Sequence, residues 1–330
     1  MIFEVTDSSQ IAATRRAATD LARAEGADEE TAGRVAIVAS EMASNLLKHA
    51  PGGKMIVDLF ADSAGNGVEL IALDSGDGIA NIEQAMTDGY STAGTAGSGL
   101  GAIKRQSDEF AMFSRPQQGT ALLSRIVVKK PGSPHIEAAN VTLGIAQAPY
   151  PGEHICGDGW AFSAAAGPTL LAVDGTGHGH LAAEAAKLAV QIFRENASES
   201  LPRLLEVIHR ALVPTRGGAV GIARFDPRAR LVRFVGTGNI SAALITNQGV
   251  KRMVSNNGIA GVGPARVREF TYDYAGPAVI ILHSDGLSAK WDMNDYPGLA
   301  YNHPGLIAGV LFRDFWRARD DGLIVTLKAA

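Results

Sequence analysis

Residues 169–179 read Thr-Leu-Leu-Ala-Val-Asp-Gly-Thr-Gly-His-Gly, an apolar run that ends at Asp174 and passes directly into glycines. The run predicts a buried strand, and the glycines permit a tight turn and a close main-chain approach after it. Other aspartates of the second half also lie beside glycines or at the ends of apolar runs: Asp158, Asp285 and Asp320. The second half therefore predicts four carboxylates held at the edges of strands.

Carboxylates that converge from several strand ends repel each other unless cations lie between them. Two Mg²⁺ or Mn²⁺ ions bound by oxygen would meet that need. Such a pair of ions activates water and holds a phosphoryl group for in-line attack. A single Asp-Gly pair is more commonly a turn, so the metal interpretation depends on the four aspartates taken together.

These aspartates and the glycine-containing segments 217–223 and 236–239 resemble the SpoIIE branch of the PPM (protein phosphatase 2C-like) phosphatases over about residues 140–328. The resemblance implies a PPM-type α-β-β-α sandwich that hydrolyses phosphoserine or phosphothreonine with metal ions. It also implies the ligands of two Mn²⁺ or Mg²⁺ ions, Gly175 acting through its carbonyl oxygen: Asp158, Asp174, Gly175, Asp285 and Asp320. The sequence departs from the family at 157–162, which lacks the second aspartate of a Gly-Asp-x-x-x-Asp pattern.

The first half of the chain predicts helices packed over a sheet. Small and apolar residues recur at helical spacing over 9–25 and 28–49, and two apolar runs flank a Gly-Asn-Gly turn at 65–67. A further helix and two strands follow a glycine-rich segment at 89–101. Helices over an antiparallel or mixed sheet form an α+β sandwich.

Glu41 and Asn45 are the first of four local signals for a nucleotide. They lie four positions apart on the second predicted helix, so both side chains face the same way. A carboxylate can accept a proton, and an amide oxygen can bind magnesium. Taken alone, such a pair is more commonly an ordinary surface pair.

Three glycine-containing segments give the other signals. Asp74 ends an apolar strand before Ser-Gly-Asp-Gly, where its carboxylate can accept a hydrogen bond from an adenine amino group. The segment 97–101, Gly-Ser-Gly-Leu-Gly, opens a helix and exposes N–H groups to an anion. The pair at 119–120, Gly-Thr, starts the last strand of this half. Each segment is a weak signal alone.

In this order, the four signals resemble the motif set of the GHKL ATPase superfamily, and most closely the anti-sigma-factor and stressosome switch-type serine/threonine kinases, over about residues 9–128. The resemblance implies a Bergerat-type α/β sandwich that binds ATP and Mg²⁺. Glu41 would be the catalytic base, Asn45 the Mg²⁺ ligand and Asp74 the adenine-binding residue. The implied nucleotide contacts also include Gly76, Gly78, Gly97, Gly99, Leu100, Gly101 and Thr120. Because the sequence has no phosphoacceptor helix of the histidine kinases, we expect a protein serine or threonine as the acceptor.

The length and composition indicate two globular domains. A single core usually stops growing at roughly 250–300 residues, whereas this chain has 330, of which 46% are apolar. The proline- and glycine-containing segment at 130–139 predicts a linker. We therefore expect a kinase-like domain over 1–129 and a phosphatase domain over 140–330.

The net charge and the cysteine content limit which partners and which cellular compartment we expect. The formal net charge of -4, without a large basic patch, makes nucleic acid a poor partner. The single cysteine, Cys156, fits a reducing compartment, and the aspartates leave it no role as a phosphatase nucleophile. The N-terminus has no signal-peptide pattern, and apolar runs such as 276–282 are too short to span a bilayer. We therefore expect a cytoplasmic protein without a membrane partner.

The sequence thus predicts a bifunctional partner-switching regulator. Its kinase half would phosphorylate a serine or threonine of a STAS-domain antagonist protein, and its phosphatase half would remove that phosphate. A sigma factor or another downstream stress regulator would respond. Two alternatives stay open, in which the first half senses ATP without kinase activity or sequesters a protein partner under the influence of ATP. Turnover of ATP with a STAS-domain substrate separates them.

Overall fold

The computed structural model describes residues 1–50, 52–62, 65–86, 99–129, 141–265 and 267–329. The chain divides into two compact units. Unit 1 contains Met1–Pro134 and Tyr301–Arg313, and unit 2 contains His135–Ala300 and Asp314–Ala330. The predicted linker at 130–139 lies outside the described residues, so the domain boundaries stay a prediction.

Unit 1 combines helices with an antiparallel sheet. Its elements in chain order are β1 (Ile2–Val5), α1 (Ser8–Ala24), α2 (Glu29–His49), β2 (Gly53–Asp62), β3 (Gly65–Asp74), α3 (Ile82–Ala85), α4 (Gly99–Gln106), β4 (Glu109–Ser114) and β5 (Thr120–Lys129). The strand order is β1-β2-β3-β5-β4. The carboxylates of Asp7 and Asp28 cap the two long helices by accepting hydrogen bonds from main-chain N–H groups. Small buried residues of α1 and α2, such as Ala18 and Ala39, let both helices pack closely on one face of the sheet.

Unit 2 is a sandwich of two five-stranded antiparallel sheets. Its elements are β6 (Val141–Ala148), β7 (Asp158–Ser163), β8 (Thr169–Gly175), α5 (His180–Glu195), α6 (Leu201–Leu212), β9 (Gly218–Asp226), β10 (Leu231–Thr237), β11 (Ser241–Thr246), β12 (Gly249–Met253), β13 (Phe270–Asp273), β14 (Ala278–His283) and β15 (Gly322–Ala329). The strand orders are β13-β10-β9-β8-β7 and β12-β11-β14-β15-β6. One apolar core fills the space between the sheets, and a second lies under α5 and α6. Successive side chains of β7, β8, β9 and β10 therefore point alternately into these two cores.

The second face of the unit 1 sheet packs against a helix from much later in the chain. This helix, α7 (Pro304–Phe315), contributes its residues up to Arg313 to unit 1. It approaches the sheet at Gly305 and Gly309, where added side chains would contact apolar side chains of β3 and β5. The strands β3 and β5 are thus buried on both faces.

The α+β fold class predicted from the sequence is confirmed, and four of the elements named above were missed: β1, β12, α7 and the four-residue helix α3. The strands β1 and β12 are short and lie at sheet edges, where the apolar pattern is brief. The helix α7 is buried along nearly its whole length, so its sequence lacks the polar face that reveals an amphipathic helix. None of the helices within the described residues has the length and apolarity that crossing a membrane requires.

Candidate metal centre and nucleotide site

Several aspartates at or beside strand ends in unit 2 are the predicted metal ligands or adjoin them. Asp158 starts β7 and pairs in register with Asp174 of β8. Asp285 follows β14, whereas Asp320 and Asp321 precede β15. Asp320 and Asp321 both raise the pKa values of Asp158 and Asp174, an effect that requires the carboxylates to be near each other. The topology therefore brings together aspartates that are far apart in sequence.

Burial and mutual repulsion disfavour the ionised forms of these carboxylates. Burial raises the pKa of Asp158 well above its ordinary value, and the Asp174 carboxylate raises it further. Burial, followed by the charge of Asp285, raises the pKa of Asp174 from 3.8 to about 7. Burial and Asp320 raise the pKa of Asp285, while a hydrogen bond from Asn239 lowers it. The group concentrates negative charge that a cation would compensate.

Side-chain donors hold two of these carboxylates in place. The Ser284 hydroxyl donates to Asp158 Oδ2 over 2.7 Å and accepts from the Leu323 N–H over 3.0 Å. This hydroxyl therefore fixes the first aspartate to the start of β15. The Asn239 side-chain amide donates to Asp285 Oδ2 over 2.6 Å, so it sets the orientation of that carboxylate.

Asp321 carries the clearest local sign that a cation belongs here. Its Oδ1 accepts a hydrogen bond from the Tyr150 N–H over 2.8 Å, while its Oδ2 is buried without a hydrogen-bond partner. An unpartnered buried carboxylate oxygen is costly unless water or a cation serves it. Within the described part of the chain, no three acidic, histidine or cysteine side chains already converge as a finished metal-binding group. The oxygen donors nevertheless are of the chemical type that Mg²⁺ and Mn²⁺ prefer.

The glycines beside these aspartates allow strands to approach closely. A side chain at Gly175 would overlap the carbonyl oxygen of Ala182. A side chain at Gly286 would overlap the carbonyl oxygen of Asp321. Gly175 and Gly286 are therefore needed for packing as well as for turning the chain. Each lets the main chain of a neighbouring segment contact the main chain beside an aspartate.

Asp74 ends β3 and is held by its neighbours in unit 1. Its Oδ1 accepts hydrogen bonds from the N–H groups of Gly76, over 2.8 Å, and Thr120, over 3.1 Å. Among the described residues, both donors use this one oxygen, which leaves Oδ2 available to an adenine amino group. The Arg313 guanidinium of α7 donates to the main-chain carbonyl oxygen of Asp74 over 2.7 Å.

Glu41 and Asn45 lie beside the start of α4. A side chain added at Gly99 would come within 3.3 Å of Glu41 Oε2 and 3.6 Å of Asn45 Oδ1. Leu100 and Gly101 continue the same helix. The helix start thus lies next to a carboxylate and an amide, an arrangement that fits phosphates and Mg²⁺.

Gly76 and Gly78 lie in the turn after Asp74. A side chain at Gly76 would come within 3.0 Å of the carbonyl oxygen of His49, at the end of α2. Gly78 has a φ of 67°, and a side chain there would overlap the carbonyl oxygen of Arg115. The turn therefore depends on both glycines. Gly97 lies outside the described residues.

Two family models match the two halves of the chain. Residues 5–125 match the histidine kinase-like ATPase domain, and residues 167–296 match stage II sporulation protein E (SpoIIE). Over 112 residues the chain is 35% identical to the serine/threonine-protein kinase RsbT of Bacillus subtilis (strain 168), covering 34% of this chain and 84% of RsbT. The chain joins a GHKL kinase-like domain to a SpoIIE-type PPM phosphatase domain.

The phosphatase domain has relatives of its own. Over 139 residues the chain is 27% identical to the phosphoserine phosphatase RsbX of the same organism, covering 42% of this chain and 70% of RsbX. A crystal structure of RsbX in complex with magnesium is similar with a TM-score of 0.52 at 21% identity, covering 58% of this chain and 96% of that chain. That likeness establishes the fold of the SpoIIE-type domain.

Within the GHKL kinase-like domain, the predicted residues form two neighbouring groups. One contains Glu41, Asn45 and Gly99, and the other is centred on Asp74. In the SpoIIE-type domain, the four predicted aspartates are near neighbours. Their ligand roles, like the nucleotide contacts, remain predictions.

Four residues at these sites were not assigned roles from the sequence: Asn239, Ser284, Arg313 and Asp321. Asp321 adjoins the predicted Asp320, so the Asp-Asp pair was a usable signal. Asn239 belongs to one of the segments that carry the family resemblance. Ser284 and Arg313 act through contacts with residues 126 and 239 positions away, which no local pattern reveals.

Cys156 fits a structural role beside the aspartates of the SpoIIE-type domain. Burial raises the pKa of its thiol well above the ordinary value, and the charge of Asp158 adds to the effect. Its Sγ donates to the carbonyl oxygen of Ala148 over 3.4 Å. The thiol therefore stays protonated, which disfavours a nucleophilic role.

Proposed function

We propose that the chain is a bifunctional partner-switching regulator in the cytoplasm. Its GHKL half phosphorylates a serine or threonine of a STAS-domain protein with ATP, and its SpoIIE-type half hydrolyses that phosphate. A sigma factor or a downstream stress regulator responds to the phosphorylation state. The proposal is supported by the union, in one chain, of domains similar to a serine/threonine-protein kinase and to a phosphoserine phosphatase.

We assign the phosphatase activity to the aspartates of unit 2. Two observations support this assignment: the aspartates raise each other's pKa values, and Oδ2 of Asp321 is buried without a hydrogen-bond partner. The residues that would hold two Mg²⁺ or Mn²⁺ ions are Asp158, Asp174, Asp285, Asp320 and the carbonyl oxygen of Gly175. When bound, the ions would activate water and neutralise phosphoryl oxygens. Ser284 and Asn239 hold two of the carboxylates at fixed orientations for this purpose.

The kinase activity would use the two groups of unit 1. The free Oδ2 of Asp74 would accept a hydrogen bond from the adenine amino group, and the start of α4 would donate N–H groups to the phosphates. Asn45 would hold Mg²⁺. Glu41 would orient the acceptor hydroxyl and accept its proton as the phosphoryl group is transferred.

The decisive experiment measures phosphate release from a phosphorylated STAS-domain protein with Mn²⁺ or Mg²⁺. We expect Asp174→Ala and Asp285→Ala to abolish release, because each removes a metal ligand while ATP binding by unit 1 persists. Asp273→Ala is a matched control, since Asp273 also ends a strand but its side chain is 83% exposed and pairs with Lys251. Chelator-insensitive hydrolysis, or full activity in both site variants, would show that these aspartates are turn residues only.

The kinase proposal has a separate outcome. If the wild-type protein binds ATP but transfers no phosphate to any STAS-domain partner, unit 1 is an ATP sensor. If ATP instead changes only the affinity for the partner, unit 1 sequesters it. Neither outcome alters the phosphatase assignment.

A further inference from the structure

The residues of α7 up to Arg313 belong to the nucleotide-binding unit, although the sequence places them in the phosphatase half. Every residue from Pro304 to Phe312 is buried. A side chain at Gly305 would contact Leu123, and one at Gly309 would come within 3.1 Å of Leu73. Leu73 immediately precedes Asp74 in β3, so the helix lies directly behind the adenine-binding end of that strand.

Arg313 ends this stretch and contacts Asp74 itself. Its Nη1 donates a hydrogen bond of 2.7 Å to the main-chain carbonyl oxygen of Asp74. Gly119, with a φ of 74°, packs its main chain against the same carbonyl group, because any side chain there would overlap it. The peptide unit that follows Asp74 is therefore held by Arg313 and packed against Gly119.

The side chain of Asp74 is fixed as well. Gly76 and Thr120 donate to Oδ1 over 2.8 and 3.1 Å, and this defines where Oδ2 lies. Both donors are main-chain N–H groups, and they belong to residues that come one or two positions after Asp74 and Gly119. Their positions therefore depend on where the main chain runs at Asp74 and Gly119. If the Asp74 carbonyl group shifts, the direction of Oδ2 shifts with it.

We propose that Arg313 is a positioning residue of the nucleotide site, and that the site is incomplete in residues 1–134 alone. The guanidinium is always charged and holds a planar donor group in one orientation, so it restrains the Asp74 main chain more firmly than a neutral donor. It thereby directs Oδ2 to the adenine amino group. The inference rests on the proposed ATP binding of unit 1.

The test uses the full-length protein with two nucleotides. ATP carries the 6-amino group that Asp74 would bind, whereas inosine triphosphate carries an oxygen there. We expect Arg313→Gln to weaken ATP binding about tenfold and to leave inosine triphosphate binding nearly unchanged, so the preference for ATP falls. Arg313→Lys should retain most of the preference, because the ammonium group also makes a charge-assisted hydrogen bond.

Arg210→Gln is the matched control, since Arg210 also lies in the last turn of a helix and its side chain is 67% exposed. Calorimetry gives both affinities, and retained binding of inosine triphosphate shows that unit 1 of each variant is folded. If Arg313→Gln folds poorly, Arg313→Met, which keeps the aliphatic stem of the side chain but donates no hydrogen bond, takes its place in the comparison. Wild-type affinities in Arg313→Gln, or equal losses for both nucleotides, would overturn the inference. If the wild-type protein binds neither nucleotide, the proposed ATP binding fails first, and the inference fails with it.

Discussion

Asp174→Asn should make the metal-free protein more stable while abolishing its phosphatase activity. The Asp174 carboxylate is buried beside other aspartates, and its pKa rises from 3.8 to about 7. A carboxyl group with a raised pKa destabilises the folded state when it is ionised. This cost is absent below pH 4, grows as the pH rises and is complete above pH 7. An amide removes the charge with little change in shape.

The size of the effect follows from the pKa shift. A difference of about three pKa units corresponds to about 4 kcal/mol between the two protonation states, which is the most that removing the charge can return. The amide still needs hydrogen-bond partners in a buried position, so we expect a gain of about 1–2 kcal/mol in the free energy of unfolding at pH 8. At pH 4 the wild-type carboxyl is protonated and the cost of its charge is nearly gone, so the variant should be no more stable than the wild type.

Urea unfolding in a chelator at pH 8 and pH 4 measures this gain. All three tryptophans, Trp160, Trp291 and Trp316, lie in unit 2, so tryptophan fluorescence reports the phosphatase unit alone. Saturating Mn²⁺ should stabilise the wild type by about 2.7 kcal/mol at one hundred times its dissociation constant and should not stabilise Asp174→Asn. A variant that is less stable at pH 8, or equally stabilised at both pH values, would refute the reasoning.

Four further substitutions test the remaining assignments. Asp74→Asn should weaken ATP binding at least tenfold, and unchanged affinity in calorimetry would remove Asp74 from the site. Glu41→Ala should bind ATP normally but lose phosphoryl transfer, because the base acts in the chemical step; transfer at the wild-type rate would exclude it as the base. Asn239→Ala should lower the affinity for Mn²⁺ about 10–100-fold in activation assays, since it frees the Asp285 carboxylate, and an unchanged activation curve would contradict this. Cys156→Ala should retain chelator-sensitive hydrolysis, whereas its loss would indicate a catalytic thiol.

The aspartates could be found from the sequence because their signal is local. An apolar run followed by Asp-Gly indicates where the carboxylate lies. The glycine indicates that another part of the main chain can approach it, as at Asp174 and Asp285. The partners of those carboxylates were not predictable in the same way. Ser284 reaches Asp158 across 126 positions, so its role depends on which strands become neighbours in the sandwich. Local pattern therefore identifies the candidate ligands, whereas the topology decides what orients them.

The contribution of α7 to unit 1 was missed because helical periodicity needs a polar face. Its residues up to Phe312 are buried, and two glycines lower its helix propensity. The strand it covers nevertheless carried a usable signal. Residues 68–73 of β3 are apolar except for Glu69, whose charge is buried in an ion pair with Arg125 of 2.6 Å. A strand without polar alternation has both faces buried. Because α1 and α2 cover only one face, such a strand requires a second layer, which α7 supplies, and the same helix brings Arg313 to the carbonyl oxygen of Asp74.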